Sequence, residues 1–458
     1  MILLLAALLA APAPAPGAPA PVPVAEAIEE GRKAIRANDY DRAEALLKAP
    51  AEAGNPDAMN RLAWAYKLRN REGDAARAFA LEKAAADKGY VPAMVDLGIL
   101  YEEGVGVAKD PAEAVRLYER AAALGDARAM YYLGLNHEQA IGVAKDLTKA
   151  FGWYKKGAEA GDGDAMHALG IAYDSGLGIA EDDTAALAWF RRSAESGNTL
   201  ALRSVGIMYE YGRGVAADPA EALVWYRKAA DAGLAAAAVD VGLALENGTG
   251  TTKDLPGAAG WFRKAAEGGD LDGIYNHGRM LRYGRGVAAD LAEGIRWFRT
   301  GAAREESGSM VELALLHLEG TGVARDEKEA LRLLERAAGL GNGYAMFKLG
   351  RLYDEGGPVA KDAARAFAWY LKGAEAGQSE AANSAGVSYE LGQGVKQDYA
   401  EALRWYRKAA ELGNDVAMSN IGLAYEMGRG VAADPAEAFR WYKRAKTWEQ
   451  ENLARFLR

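Results

Sequence analysis

The sequence predicts an all-α solenoid in which each 36-residue unit contributes one pair of antiparallel helices. Three observations carry this reading. Glycine returns at that period at Gly98, Gly134, Gly170, Gly206, Gly242 and Gly278, then, after Ala314, at Gly350, Gly386 and Gly422. An aspartate keeps its own register through Asp110, Asp146, Asp182, Asp218, Asp254, Asp290, Asp326, Asp362, Asp398 and Asp434. An aromatic pair follows it, as in Trp153-Tyr154, Trp225-Tyr226, Trp297-Phe298 and Trp405-Tyr406. A fixed period of this size means a small unit stacked on copies of itself, each burying a face it could not bury alone. Because such an array grows by adding units, the 458 residues do not translate into a domain count, and one continuous body is expected.

The chain opens differently. Residues 2–11, ILLLAALLAA, form an apolar run too short to span a bilayer, and APAPAPGAPAPVPV follows. Residues 1–24 therefore read as a secretory signal peptide with a Pro/Ala-rich tail, and the expected location is exported, in a bacterial periplasm. Residues 25–93 read as two looser helix pairs, the first carrying Ala37-Asn38-Asp39-Tyr40 and Ala43-Glu44-Ala45-Leu46-Leu47.

Residues 126–161 stand for the regular unit. A first helix spans about Ala127 to Glu138, with Ala129, Met130, Leu133 and His137 at helical spacing. Its Gly134 is replaced by Ala314 in another unit, so the position needs smallness rather than positive φ, at a propensity cost of about 1 kcal/mol. A turn of form G-x-G-V follows, as in Gly104-Val-Gly106-Val107 and Gly428-Arg-Gly430-Val431. The aspartate then opens the second helix. A glutamate three residues later in six units, as Asp110/Glu113 and Asp434/Glu437, predicts a capping box, and Asp110-Pro111 puts proline where helices accept it. Within that helix the aromatic pair is the expected core between units. Basic pairs such as Arg191-Arg192 and Arg227-Lys228 lie toward the negative helix end, and glycines such as Gly161 and Gly197 terminate it.

Leu-Gly-x-x-Tyr, G-x-G-V, the aspartate and Trp-Tyr-x-Lys-Ala-Ala-x-x-Gly within one unit resemble the Sel-1-like repeat, a branch of the tetratricopeptide superfamily. The resemblance covers residues 94–446, with 447–458 extending the last helix as a C-terminal cap. With the two looser units it implies a right-handed superhelix of about twelve helix pairs. It also implies a non-catalytic adaptor or regulator that holds a partner protein or peptide in its concave groove. A cysteine-rich branch of the family is linked to β-lactam binding and hydrolysis, so an exported cell-wall-directed enzyme or ligand binder is the alternative. This chain departs from that branch, having no cysteine and no Ser-x-x-Lys motif independent of the array.

Composition narrows the function further. A formal charge of −9 without a long basic run argues against nucleic-acid or polybasic membrane binding, and no stable membrane span is expected. Without cysteine there is no disulfide, thiolate nucleophile or cysteine-based zinc site. No cofactor or catalytic residue is implied, since no His-Glu-x-x-His, P-loop or nucleophile elbow occurs. The G-x-G turn follows a helix rather than a strand, which argues against a phosphate loop. Of the four histidines, His137 and His317 take a slot filled elsewhere by Tyr101, Tyr173 and Tyr209, so core packing is their expected role.

Function in an array shows as departure from the repeat. In the tetratricopeptide-like frame the groove is lined by positions equivalent to Arg128, Tyr131, Leu135, Glu138 and Gln139. The position of Glu138 runs Glu102, Glu138, Asp174, Glu210 and Glu246, then Arg282 and Leu318, then Asp354, Glu390 and Glu426. Around that break stand His277, Arg285, Arg296, Arg299 and Arg304, while Glu305 occupies the place of a helix-ending glycine. The predicted partner-binding residues are Tyr275, Arg279, Arg282 and Tyr283, together with Tyr344, Phe347 and Arg351. They form an electropositive and aromatic stretch suited to an acidic or C-terminal segment of a partner protein. The competing reading is that these arginines pair with neighbouring acids.

Overall fold

The computed structural model describes residues 23–456, so all but the last two residues of the expected signal peptide and tail, residues 1–24, lie outside the described residues. Among these the chain is all-helical. Twenty-four helices, from α1 (Val24–Arg36) to α24 (Pro435–Phe456), follow one another as twelve pairs in a helical solenoid without a strand. Where the sequence predicts one continuous body, the chain divides into two compact units, the described parts of Met1–Ala217 and of Asp218–Arg458. Because contacts in an array run between neighbouring helices, such a division needs no break in the sequence pattern.

In the first unit a continuous core runs through Leu47, Leu62, Leu97, Tyr118 and Leu133, and a further cluster forms around Tyr154 and Leu169. In the second, Phe298, Met310, Leu334 and Leu349 make one cluster, and Tyr370, Tyr406, Met418 and Ile421 another. Among the described residues no helix is long and apolar enough to cross a membrane.

The aspartates cap the second helices as predicted. Asp110 accepts from the backbone N–H of Glu113 at 3.0 Å, Asp290 from Glu293 at 2.9 Å and Asp434 from Glu437 at 3.0 Å. Each such cap stabilises its helix by about 1 kcal/mol. The reciprocal half of the capping box differs. The aspartate's own N–H donates instead to a carbonyl of the preceding helix, Asp110 to Tyr101 at 2.9 Å and Asp290 to Leu281 at 2.9 Å. The glutamate is thereby released, and Glu113 pairs with Arg116, Glu329 with Arg332 and Glu401 with Arg404.

The recurrent glycine is a seat for an aromatic ring. A Cβ on Gly134 would lie 2.3 Å from the Tyr154 ring, and one on Gly278 would lie 2.6 Å from Phe298, so nothing larger than hydrogen fits without displacement. Ala314 is the informative exception. Its unit carries Leu333-Leu334 in place of the aromatic pair, and both Ala314 and Leu334 are fully buried. The added methyl is accommodated where the ring is gone.

Except at Trp405, the tryptophan is less buried than the core residue the sequence suggests. The second ring of most pairs is buried, as in Tyr154, Phe190, Phe262 and Tyr370, whereas Trp153, Trp189, Trp261 and Trp369 are half-buried; in the last pairs Trp405 is buried as well and Tyr442 is only half-buried. Neighbouring positions on a helix differ by about 100°, so one ring faces inward and the other lies across the rim. There a cation three residues on covers it. Lys156 lies 4.2 Å from the Trp153 centroid, Arg192 4.2 Å from Trp189, Lys228 4.1 Å from Trp225 and Lys264 4.5 Å from Trp261. The same contact recurs at Trp369, Trp405 and Trp441. The basic residues therefore do more than complement the helix end.

Candidate functional site

The predicted partner-binding residues fall into two clusters. On α15 (Leu271–Tyr283), the Arg279 guanidinium lies 5.5 Å from the centroid of the Tyr275 ring and donates to the Asn276 amide oxygen at 3.1 Å. Arg282 lies 5.0 Å from the Tyr283 centroid, and Tyr283 itself is 52% exposed. On α19 (Gly343–Glu355), the Tyr344 and Phe347 centroids are 6.1 Å apart, with Lys348 4.8 Å from the Tyr344 centroid. Between these helices stands α17 (Ser307–Glu319), which offers half-buried Leu315 and Leu318 in the corresponding register. Among the described residues no hydrogen bond, ion pair or ring contact joins the two clusters.

The electropositive character expected of the stretch is largely neutralised. Arg282 forms an ion pair with Glu312 of α17 in which both side chains are 11% exposed, and it reaches Glu319 at 3.5 Å. Arg285 pairs with Glu246 at 2.7 Å, Arg296 with Glu293, and Arg351 with Glu355 on its own helix. Arg304 donates to the Gly269 carbonyl at 2.7 Å. Glu305 does adopt the left-handed conformation of the glycine it replaces, φ 64°, and accepts from Arg336 at 3.0 Å. Arg279 differs from these, its recorded partners being a ring and a neutral amide.

Arg282 is consequently a structural residue of the site. Arg282→Ala is expected to destabilise the protein by about 3–5 kcal/mol, because the Glu312 carboxylate is left buried without its cation. Arg282→Met with Glu312→Leu is expected to recover most of that loss, since an apolar pair of similar volume removes both charges. Urea unfolding of the three variants checks this, and an Arg282→Ala protein as stable as the parent contradicts it.

The break in the acidic file has a packing explanation. The tyrosine at the second position of the pair donates its hydroxyl to the acid sixteen residues earlier: Tyr118 to Glu102 at 3.0 Å, Tyr406 to Glu390 at 2.7 Å and Tyr442 to Glu426 at 2.8 Å. Burial first and the neighbouring carboxylate second push the Tyr118 hydroxyl well above the usual phenol range. Where the ring is Phe298 or Leu334 there is no hydroxyl to receive, and the acid gives way to Arg282 and Leu318. Asp174 and Glu246 persist beside Phe190 and Phe262 for another reason. Each is held by an arginine of the next G-x-G turn, Arg213 at 2.8 Å and Arg285 at 2.7 Å.

Comparison with known families fits this geometry. The Sel1 repeat matches eleven consecutive stretches, residues 56–90, 91–126, 127–162, 163–198, 199–234, 235–270, 271–305, 307–342, 343–378, 379–414 and 415–447. The chain is a Sel1-repeat protein. Its repeats as matched begin at residue 56, so they also take in α3 (Pro56–Arg69) and α4 (Asp74–Asp87). Among solved structures, this Sel1-repeat protein is 31% identical to a protective antigen present in uropathogenic Escherichia coli strains that displays an SLR fold. That likeness covers 89% of this chain and 88% of the antigen, with a TM-score of 0.57. It is also 28% identical to a Sel1 repeat protein from Oxalobacter formigenes, over 70% of this chain and 91% of that one, with a TM-score of 0.49. No curated protein matches the chain. Sel1-repeat proteins generally act in protein–protein interaction and are generally non-catalytic. Among the described residues of this one, no three His, Asp or Glu side chains converge as metal ligands.

Two features of this Sel1-repeat protein escape the sequence. Glu312, the partner of Arg282, stands thirty residues on in the next unit, and nothing local announces it. The second is the surrounding of His277, which is buried at 6% exposure with its Nδ1 unpaired.

Proposed function

We propose that this Sel1-repeat protein is a non-catalytic scaffold or regulator, and that the α15 surface around Arg279 grips an acidic or C-terminal segment of a partner protein. The observation that carries the reading is the contrast among the arginines. Arg282, Arg285, Arg296 and Arg351 are all engaged by carboxylates, whereas Arg279 meets a tyrosine ring and an amide. A guanidinium in that state can accept a bidentate carboxylate without first giving up an ion pair. Tyr283, more than half exposed, and Tyr275 supply rigid aromatic surface on the same helix. Leu315 and Leu318 continue the surface toward Tyr344 and Phe347. Export to the periplasm belongs to the same proposal, resting on the apolar run of residues 2–11, and fractionation of the native cell checks it.

The test uses the full chain against a library of acidic and C-terminal peptides. Arg279→Ala with Tyr283→Ala is expected to lower affinity for the selected peptides about tenfold or more, as hot-spot residues do, while leaving the melting temperature in place. Selected peptides that bind this variant as tightly as the parent would refute the assignment. Turnover of nitrocefin by the purified protein would overturn the non-catalytic reading.

A further inference from the structure

A cleft of about 440 Å³ opens in the second compact unit, walled by α14 (Leu255–Glu267) and α16 (Leu291–Ala303) and floored by α15. Its lining includes Gly260, Arg263, Glu267, His277, Glu293 and Trp297. Three departures from the repeat meet there, each with a distinct effect on the cleft.

The first concerns volume. Leu281, also in the lining, takes the slot filled by Tyr173, Tyr209, Tyr389 and Tyr425 in other units. In two of those units the tyrosine engages the first basic residue after the preceding aromatic pair, as Arg191 lies 5.5 Å from the Tyr209 centroid and Arg407 donates to the Tyr425 hydroxyl at 3.0 Å. With leucine there, Arg263 turns to Glu267 on its own helix at 2.8 Å. A Cβ on Gly260 would meet nothing within 4 Å, so the α14 wall also stands back.

The second concerns polarity. His277 takes a slot held by Leu97, Leu133, Leu169, Val241, Leu313 and Ile421. It is buried, its Nδ1 has no hydrogen-bond partner, and its ring meets Trp297 edge to face at 5.5 Å. Burying an unsatisfied imidazole nitrogen in place of an aliphatic side chain costs stability without improving packing, the pattern expected of a functional position.

The third concerns charge. In seven other units a lysine or arginine three residues after the tryptophan lies over its ring, at 4.1–5.0 Å. After Trp297 that place is Thr300, whose hydroxyl donates back to the Arg296 carbonyl at 3.1 Å. Among the described residues no cation lies over Trp297. The carboxylate of Glu293, one helical turn before the indole, lines the same cleft, held only by the highly exposed Arg296. An exposed pair of that kind contributes little and exchanges readily.

We propose that the cleft is a second interaction site, one that takes a lysine or arginine side chain of a partner protein over Trp297 and beside Glu293. The incoming cation completes the indole–cation contact that the other units make internally, and it would bring charge to a cleft with two carboxylates and one arginine among its lining. The proposal rests on the scaffold reading above, but it concerns different residues, a different surface and a partner group of opposite charge.

The experiment uses the full chain labelled with 5-fluorotryptophan, the Trp297 resonance being assigned by Trp297→Phe. N-acetylarginine methylamide is titrated in, with N-acetylcitrulline methylamide as the neutral isostere and N-acetylglutamate methylamide as the anionic control. The expected result is a saturable shift of the Trp297 signal with the arginine probe and none with the other two. Thr300→Lys, which installs the cation other units possess, is expected to weaken the probe's binding about tenfold at an unchanged melting temperature. A Trp297 signal indifferent to the arginine probe, an equal response to citrulline or glutamate, or undiminished binding by Thr300→Lys would each overturn the proposal. A chain that selects acidic peptides through Arg279 while Trp297 ignores arginine would sink this inference alone.

Discussion

Gly386→Ala lowers stability by about 1–3 kcal/mol, although alanine is the better helix former by about 1 kcal/mol. The reason is local. A Cβ at this position would stand 2.5 Å from Cε1 and 2.6 Å from Cδ1 of the Tyr406 ring, with the Ala402 carbonyl oxygen 3.2 Å away. The ring has little freedom to retreat, since it is 2% exposed and its hydroxyl is tied to Glu390, which Arg429 also holds at 2.6 Å. Overpacking a fixed ring therefore outweighs the gain in propensity. The double variant Gly386→Ala with Tyr406→Leu reproduces the combination found naturally at Ala314 and Leu334. It is expected to be more stable than the sum of the two single changes by more than about 1 kcal/mol, the scale of coupling between residues in contact. Urea unfolding of the four proteins of that cycle measures it. Additive single effects, or an alanine variant at least as stable as the parent, would show that the glycine is not a ring seat.

The second large effect is a pH dependence centred on Glu82. This side chain occupies the slot of the buried aromatic ring in α4, is 2% exposed, and accepts from the Asn60 amide at 3.0 and 2.9 Å. Burial foremost, and the nearby Asp96 charge after it, push its carboxyl up to about 9. A raised carboxyl means that the native state keeps a proton which the unfolded chain releases above about 4.5. The unfolded state then binds fewer protons, so stability falls as pH rises from about 4.5 to about 9 and levels off beyond. Glu82→Gln retains an acceptor for Asn60 but cannot titrate. It is expected to flatten that part of the profile and to raise stability at pH 8 by about 1–3 kcal/mol, a few tenths of the unscreened linkage. Denaturant unfolding at intervals from pH 5 to pH 9 follows it. Parallel profiles for parent and variant would mean that Glu82 is ionised in the native state.

The repeat period, the helix pairs and the aspartate caps are legible in the sequence because each is set by residues close along the chain. The pairing between units is not. Tyr154 and Glu138 lie sixteen residues apart on two helices, and their meeting is known only when those helices are folded together. A trace of it exists, since Phe298 loses its acid at Arg282 and Leu334 loses its acid at Leu318, but two such units are too few to separate packing from function. The same limit hides the partner of Arg282. The broken acidic file suggests a positive surface at Arg282, whereas the folded chain brings Glu312 against it. Trp297 illustrates the converse. Its missing cation at Thr300 is plain in the sequence once the contact between Trp153 and Lys156 has been seen, and invisible before.

The backbone bond from the capping aspartate to the helix before it carries a consequence for how this chain can change. Asp146 donates to the His137 carbonyl at 2.8 Å and Asp254 to the Leu245 carbonyl at 2.8 Å, in each case across nine residues. The turn is thus a clasp of fixed length, closed at one end by the last carbonyls of one helix and at the other by the first amide of the next. An inserted residue would have to open the clasp and shift the cap together. Whole units face no such barrier, because their two ends present the same groups to their neighbours. Length in this molecule is accordingly quantised, and the unbroken register from Gly98 to Gly422 is the record of that quantum.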